Sequence, residues 1–316
     1  MKKLLICGGT GFIGRNLIEY YVAKNEFDIY ATYFNSEPFE MEGVHFIKAD
    51  LTCKDDVKKV MNGMNIVIQA AATTSGSNEI VNKPYYHVTD NAVMNSLILR
   101  EAFECHVEKL LFFSCTVMYQ PNEKPLKETD YSECDEIFHN YFGVGWTKVY
   151  IEKMCQFYSR ICDTKFTVFR HANIYGPYDK YDLERSHVFG ATITKVMQAE
   201  NGSSITVWGE GKEKRDLLYV EDLIQAVDLA IKKQETKYEL VNIGYGKAIS
   251  ISELVQKIID ISGKKLKIKY DKSKPNIPTT LCLDCEKAKQ LYGWSVTTSL
   301  DEGIKKTIMW YKKNIM

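Results

Sequence analysis

Leu4-Leu5-Ile6-Cys7-Gly8-Gly9-Thr10-Gly11-Phe12-Ile13-Gly14 stands near the start of this 316-residue chain. Its four apolar residues read as a short buried strand. Gly8, Gly11 and Gly14 then form a G-x-x-G-x-x-G turn, and a helical pattern follows over about 13–24. Glycine at such places permits a tight turn, lets backbone N–H groups approach a diphosphate, and lets helix pack on strand. A glycine triplet alone is weak evidence, because turns are glycine-rich. This one follows a strand, opens a helix and starts a βαβ rhythm, which is the context that points to a dinucleotide.

The rhythm continues outward from that turn. Short apolar runs fall at 3–7, 28–33, 44–48, 65–70, 109–114 and 165–170, with helical patterns at about 54–62, 84–105 and 140–162 between them. Alternation of this kind predicts an α/β fold with a doubly wound parallel sheet, helices covering both faces. After about 171 the rhythm loosens at Gly176-Pro177. A helix is expected at about 187–200, a strand at 205–208, a helix near 221–233 and a returning strand near 239–243. Small helices and strands follow, around a loop holding Pro275 and Pro278. The expected division is a dinucleotide-binding domain over 1–170, with a returning segment at about 215–245. A smaller, interleaved substrate lobe covers 171–316. No internal repeat or low-complexity segment is present.

Lys plus Arg and Asp plus Glu both number 41, which argues against a nucleic-acid partner. No apolar run approaches the ~18 residues of a membrane span, so no membrane partner is expected. Lys2 and Lys3 ahead of an apolar stretch imitate a signal peptide, but the stretch ends in the glycine turn after about four residues. The nine cysteines are scattered. Cys282-x-x-Cys285 lacks the second pair of a zinc site. Reduced structural thiols in a cytoplasmic protein, with no metal site, are the expectation.

An NAD site usually ends its second strand in an acid that binds the ribose hydroxyls. Here Tyr33 stands about where that acid belongs, and Arg15, Asn35 and Ser36 are near enough in the pattern to meet a 2′-phosphate. This favours NADP(H) over NAD(H). Asp50-Leu51, at the end of the third strand, suits either an adenine contact or a simple strand-end cap.

Further segments resemble the extended short-chain dehydrogenase/reductase family over essentially the whole chain. They are the glycine loop, Gln69-Ala70-Ala71-Ala72, Pro84-Tyr85-Tyr86 with Asn91, Arg170-His171-Ala172-Asn173-Ile174-Tyr175-Gly176-Pro177, Arg215 with Tyr219-Val220-Glu221-Asp222-Leu223, and Gly293-Trp294. The stretch from Tyr175 through Lys180, Glu184, Arg185 and Ser186 to Val188, with Val207-Trp208-Gly209-Glu210-Gly211 and Phe142-Gly143, is most similar to the GDP-fucose synthase subgroup.

The resemblance implies a Rossmann sheet and a nicotinamide cofactor held by Gly8, Thr10, Gly11, Phe12, Ile13, Gly14, Arg15, Asn35, Asp50, Leu51, Ala71, Ala72, Lys148 and His171. It implies a nucleotide-sugar substrate contacted by Asn173, Val188, Trp208 and Arg215. Salt bridging and core packing are the plain alternatives for the last two. It also implies a homodimer through the helices at 84–105 and 140–162.

In the family a tyrosine four residues before the lysine carries the hydroxyl proton, both on one helix face. Lys148 is present here, followed by Glu152, but the tyrosine position holds Val144. The family's Ser/Thr position on the fifth strand falls on Cys115, and the epimerase cysteine position on Val117. Thr116 or Ser114 is available if the strand shifts by one residue. Cys115 is either a proton carrier or a buried strand-end thiol. His187 matches the family's catalytic histidine. Tyr141 lies about 10 Å away if the helix is continuous, and replaces the tyrosine only if the helix begins late. The expected catalytic set is therefore Lys148, His187, Cys115, Thr116 and Tyr141. It belongs to an enzyme modifying a nucleotide-diphosphate sugar by non-standard acid–base chemistry. The alternative is a binding protein that has lost the chemistry.

Overall fold

The structure, a computed structural model, describes residues 1–74, 82–183, 186–274 and 279–316. Glu184, Arg185, Pro275 and Pro278 lie outside the described residues.

Six strands build the first half: β1 (Lys2–Cys7), β2 (Phe27–Tyr33), β3 (Val44–Lys48), β4 (Ile66–Gln69), β5 (Lys109–Phe113) and β6 (Lys165–His171). Between them run α1 (Phe12–Lys24), α2 (Lys54–Met61), α3 (Thr89–Glu104) and α4 (Phe142–Ile161). With β10 (Tyr238–Ile243) the strands form one seven-stranded sheet in the order β10-β6-β5-β4-β1-β2-β3. Every neighbouring pair is parallel.

Alternating side chains decide which face each helix covers. Leu4 and Ile6 point to the face packed by α1 and by α6 (Val220–Lys233), with Leu17, Ile18, Leu223 and Val227. Leu5 and Cys7 point to the other face, against Val57 of α2, Ile98 of α3 and Ile151 of α4. Burial on both faces explains why these strands read as unbroken apolar runs. The sheet is doubly wound, as expected.

The second lobe holds β7 (Asn173–Tyr175), β8 (Ser204–Trp208), β9 (Lys214–Tyr219), β11 (Ala248–Ser250) and β12 (Lys267–Asp271). β11-β9-β7 make a three-stranded sheet and β12-β8 a pair. The helices α5 (Val188–Gln198), α7 (Ile251–Ser262) and α9 (Leu300–Asn314) supply its separate core, including Phe189, Ile193, Leu254, Ile258 and Ile304. The short α8 (Glu286–Tyr292) packs instead on the α1/α6 face. Within the segment at about 215–245, β9 belongs to the small sheet, while α6 and β10 return to the large one.

Two helix starts differ from the sequence expectation. The segment from 84 opens as a 3-10 turn, Pro84–His87, before α3. The segment from 140 opens as a 3-10 turn, His139–Tyr141, and α4 begins only at Phe142. Tyr141 is therefore the residue before the helix, off its regular spiral.

Candidate active site

The glycine turn is packed to its limit. Gly8 has a left-handed φ of 76°, and a Cβ there would stand 2.7 Å from Ala71 Cα. A Cβ on Gly14 would stand 2.1 Å from the Gly8 carbonyl oxygen. Gly8 N–H donates to Thr32 Oγ1 at 2.9 Å and Gly9 N–H to the Thr32 carbonyl at 2.8 Å, tying the turn to β2. Gly11 is the exposed N-cap of α1. Among the described residues no side chain caps that helix, and its first turn has no acid. Its leading N–H groups, Phe12 and Ile13 among them, are left for an anion, which suits a cofactor diphosphate. Thr10 lies half-buried on the turn, and Ala71 and exposed Ala72 form the opposite wall after β4.

β2 ends in Thr32-Tyr33 rather than in an acid. The Arg15 guanidinium is stacked between Phe39, 4.1 Å from its ring centre, and Tyr178, 3.9 Å away. Asn35 is exposed beside them in the chain. Asp50 Oδ1 accepts from Thr52 N–H at 2.9 Å and Thr52 Oγ1 at 2.6 Å, the geometry of a strand-end cap, and the Leu51 side chain is buried in the core.

At the carboxyl ends of β5 and β6 the titratable groups gather. Lys148 Nζ donates to the Phe113 carbonyl at 2.8 Å and lies 4.7 Å from the Phe112 ring centre. Burial pushes its pKa down, with Cys115 and Glu152 acting the other way. His171 Nδ1–H donates to the Ala172 carbonyl at 2.7 Å, and the ring meets Phe113 edge-on. Desolvation first, then Lys148 and His187, push its pKa down to about 4, so it is neutral. His187, the N-cap of α5, is open to solvent yet ringed by protein. Desolvation, Lys180 and His87 lower its pKa. Cys115 is half-buried. Burial raises its thiol pKa, while Lys148 and the Val117 N–H oppose the rise.

The late start of α4 lets Tyr141 fold inward. It packs on the same apolar cluster as Cys115, near Arg215 and within hydrogen-bond reach of the Thr279 side chain. Thr116 is half-buried in the turn after β5, where its carbonyl accepts from Tyr119 N–H at 3.1 Å. Val144 stands one turn before Lys148 on α4.

The expected substrate contacts lie on the second lobe. Arg215 on β9 donates to the carbonyls of Lys214, at 2.9 Å, and Thr279. Asn173 is exposed on β7, its amide 3.3 Å from the Asp216 carbonyl. Val188 opens α5 on the lobe's core. Trp208 ends β8 with the Lys195 ammonium 5.7 Å from its ring centre.

Residues 4–244 match the NAD dependent epimerase/dehydratase family. The chain belongs to this family. Among curated proteins, it is 27% identical to a GDP-L-colitose synthase of Yersinia pseudotuberculosis, over 98% of this chain and 97% of that one. It is 29% identical to a GDP-L-fucose synthase of Sinorhizobium fredii, over 99% and 96%. Among solved structures, it superposes on UDP-glucose 4-epimerase of Thermotoga maritima with a TM-score of 0.86 at 23% identity, covering 99% and 100%. That last likeness speaks to the fold alone. No helix among the described residues is long and apolar enough to cross a membrane.

Within this epimerase/dehydratase frame, several contacts have partners that the sequence motifs, Asn91 included, did not name. Thr32 holds the glycine turn through a bond spanning 24 positions. Asn91 grips the backbone of Thr73 from both sides, at 3.1 and 2.8 Å, and so sets the loop after Ala72. Asn16 donates to the Pro177 carbonyl at 2.9 Å, and Lys180 Nζ to the Thr74 carbonyl at 2.7 Å, which draws the second lobe across the cofactor groove. A buried polar residue in a strand, as Thr32 is, was the one local hint.

Proposed function

We propose that this protein is a nicotinamide-dependent enzyme that epimerises and/or reduces a GDP-type nucleotide sugar, using non-standard acid–base residues. The observation that supports the proposal is a chain of electrostatic neighbours at the carboxyl ends of β5 and β6. Lys148 acts on Cys115 and His171, His187 acts on His171, and Tyr141 feels both Cys115 and Arg215. Ligands of open α/β sheets sit at the carboxyl ends of the strands, which is where these groups are.

In this reading the bound nicotinamide supplies or takes the hydride at the sugar carbon. Lys148 holds positive charge beside the reacting oxygen. His187 and Cys115 are placed to move protons, and Arg215 can fork onto a diphosphate. Residues 1–170 with the returning segment hold the cofactor, and 171–316 the sugar nucleotide. The GDP-sugar names of the two curated relatives favour guanosine, and Arg15 of α1, packed on Phe39 in the chain after β2, favours NADP(H). A homodimer belongs to the same proposal. Phe142, Trp146, Tyr150, Phe157 and Ile161 form an exposed apolar stripe along α4, beside Val93 of α3.

The test is turnover of GDP-4-keto-6-deoxymannose with NADPH, followed by product analysis, beside direct binding of NADPH, NADH, GDP-mannose and UDP-glucose. Turnover with NADPH and selective GDP-mannose binding are expected. Preference for UDP-glucose and NADH would move the assignment to a UDP-sugar epimerase. Binding of both ligands without turnover would leave a binding protein without the chemistry.

A further inference from the structure

We infer that Cys115 and Lys148 form the proton-donating couple of this site, the thiol carrying the proton that no side chain at Val144 can carry. The inference rests on the proposed nucleotide-sugar chemistry for its substrate, and on the geometry around Lys148 for its residues.

Lys148 is fixed by its bond to the Phe113 carbonyl, so its ammonium sits two residues before Cys115 at the end of β5. Its neighbours can be taken in turn. Glu152 is held by Arg170 and Ser114 through three hydrogen bonds. His171 is held on the Ala172 carbonyl, and positive charge there would repel Lys148. Val144, one turn back on the helix, holds no proton. Cys115 is the remaining partner whose anion the ammonium favours, and the Val117 N–H is directed at the same sulfur.

Cys115 as a residue is only partly covered, while its thiol is desolvated. Burial keeps it protonated at rest, which is the state an acid needs. Tyr141 packs on the same cluster, with its hydroxyl within hydrogen-bond reach of the Thr279 side chain.

In the reducing direction the Cys115 S–H bond breaks and an O–H bond forms on the sugar carbonyl oxygen. Sulfur keeps the electron pair as a thiolate beside the Lys148 ammonium. A reduced nicotinamide held by the glycine turn would supply the hydride to the carbonyl carbon and would itself be oxidised. A solvent proton then restores the thiol. In the oxidising direction the thiolate removes the hydroxyl proton.

The experiment is peptide-resolved alkylation by iodoacetamide across pH, on the full chain with and without NADPH, for wild type, Lys148→Met and Lys148→Arg. Exposed Cys53 and Cys134 are internal references. The midpoint for Cys115 should rise by at least one pH unit in Lys148→Met and return towards wild type in Lys148→Arg, with the references unmoved. Thermal unfolding identifies a variant that fails to fold, and Lys148→Arg then carries the comparison. In turnover of GDP-4-keto-6-deoxymannose, Cys115→Ala should lose about 10²–10⁴-fold in kcat with KM and NADPH affinity little changed. A Cys115 midpoint indifferent to Lys148→Met, or wild-type kcat in Cys115→Ala, overturns the couple. A midpoint shift in a wild type that turns over no such sugar would support the couple and sink the substrate assignment instead.

Discussion

Glu152 and Arg170 meet as a buried fork, Nη2 to Oε2 at 2.6 Å and Nε to Oε1 at 3.0 Å, with both side chains only 4% exposed. Ser114 also donates to Glu152, and Arg170 donates to the Tyr119 hydroxyl at 3.1 Å, which in turn donates to Asn242 at 2.8 Å. Glu152 lies one turn after Lys148, so this network pins the lysine-bearing helix to β6, β10 and the end of β5. Removing one partner leaves a buried charge unpaired, which costs about 3–5 kcal/mol. Glu152→Ala should therefore lose about that much in urea unfolding, whereas Glu152→Leu with Arg170→Met should recover most of it. A loss below about 1 kcal/mol for Glu152→Ala would show that the pair does not anchor α4.

Gly14 and Gly43 offer a contrast in what a methyl group does. A Cβ on Gly14 meets backbone at 2.1 Å, while Gly43, at a left-handed φ of 81°, has open space around it. Gly14→Ala should abolish NADPH binding in a fluorescence titration, because the turn itself must move. Gly43→Ala should cost about 1 kcal/mol through backbone strain alone and leave NADPH affinity unchanged. Equal binding by Gly14→Ala and wild type would place the cofactor elsewhere.

His171 gives stability a pH dependence with a definite sign. Its folded pKa of about 4 lies below the ordinary 6.5. Between those values the unfolded chain binds a proton that the folded one refuses. Its contribution is complete above about pH 6.5, is lost as pH falls towards 4, and is flat below. The slope reaches at most about 1.4 kcal/mol per pH unit. Asp179 and Asp216, raised by burial to about 7 and about 6, act with the opposite sign. The quantity to measure is therefore wild type minus His171→Gln in urea unfolding from pH 4 to 8. A difference independent of pH would mean that His171 titrates normally in the fold.

The cradle was legible in the sequence because a tight turn is a local event: strand, glycines and helix follow one another, and each residue type has a backbone reason. The change at Val144 was legible for the same reason, as a fixed spacing before Lys148 on one helix. Tyr141 was not. Its position depends on α4 starting at Phe142, and no cap residue marks that start: Tyr141 makes no side-chain cap bond. Asp50 was named for two roles, an adenine contact or a strand-end cap, and its bonds from Thr52 show the cap geometry, which a sequence cannot give. The Lys180–Thr74 bond joins residues 106 positions apart, a distance across which pattern carries no information.

Arg15 supplies the sharpest test of cofactor choice. Its guanidinium is held between the Phe39 and Tyr178 rings, and its Nε reaches Glu19 at 3.4 Å, so its position is set before any ligand arrives. A guanidinium packed on its faces keeps its N–H groups in its own plane, the geometry that can grip a phosphate in two places. A charge-assisted bond of this kind contributes about 1.5–3 kcal/mol. Arg15→Met should therefore weaken NADPH binding about 10–100-fold while leaving NADH within about threefold. Tyr33→Asp should push the same way, because an acid at the end of β2 repels a 2′-phosphate and binds ribose hydroxyls. Isothermal titration with both cofactors separates the cases. Equal losses for NADPH and NADH in Arg15→Met would mean that the arginine only packs the groove wall. Any preference for NADP(H) would then have to come from Asn35 and Ser36, the polar residues left at that strand end.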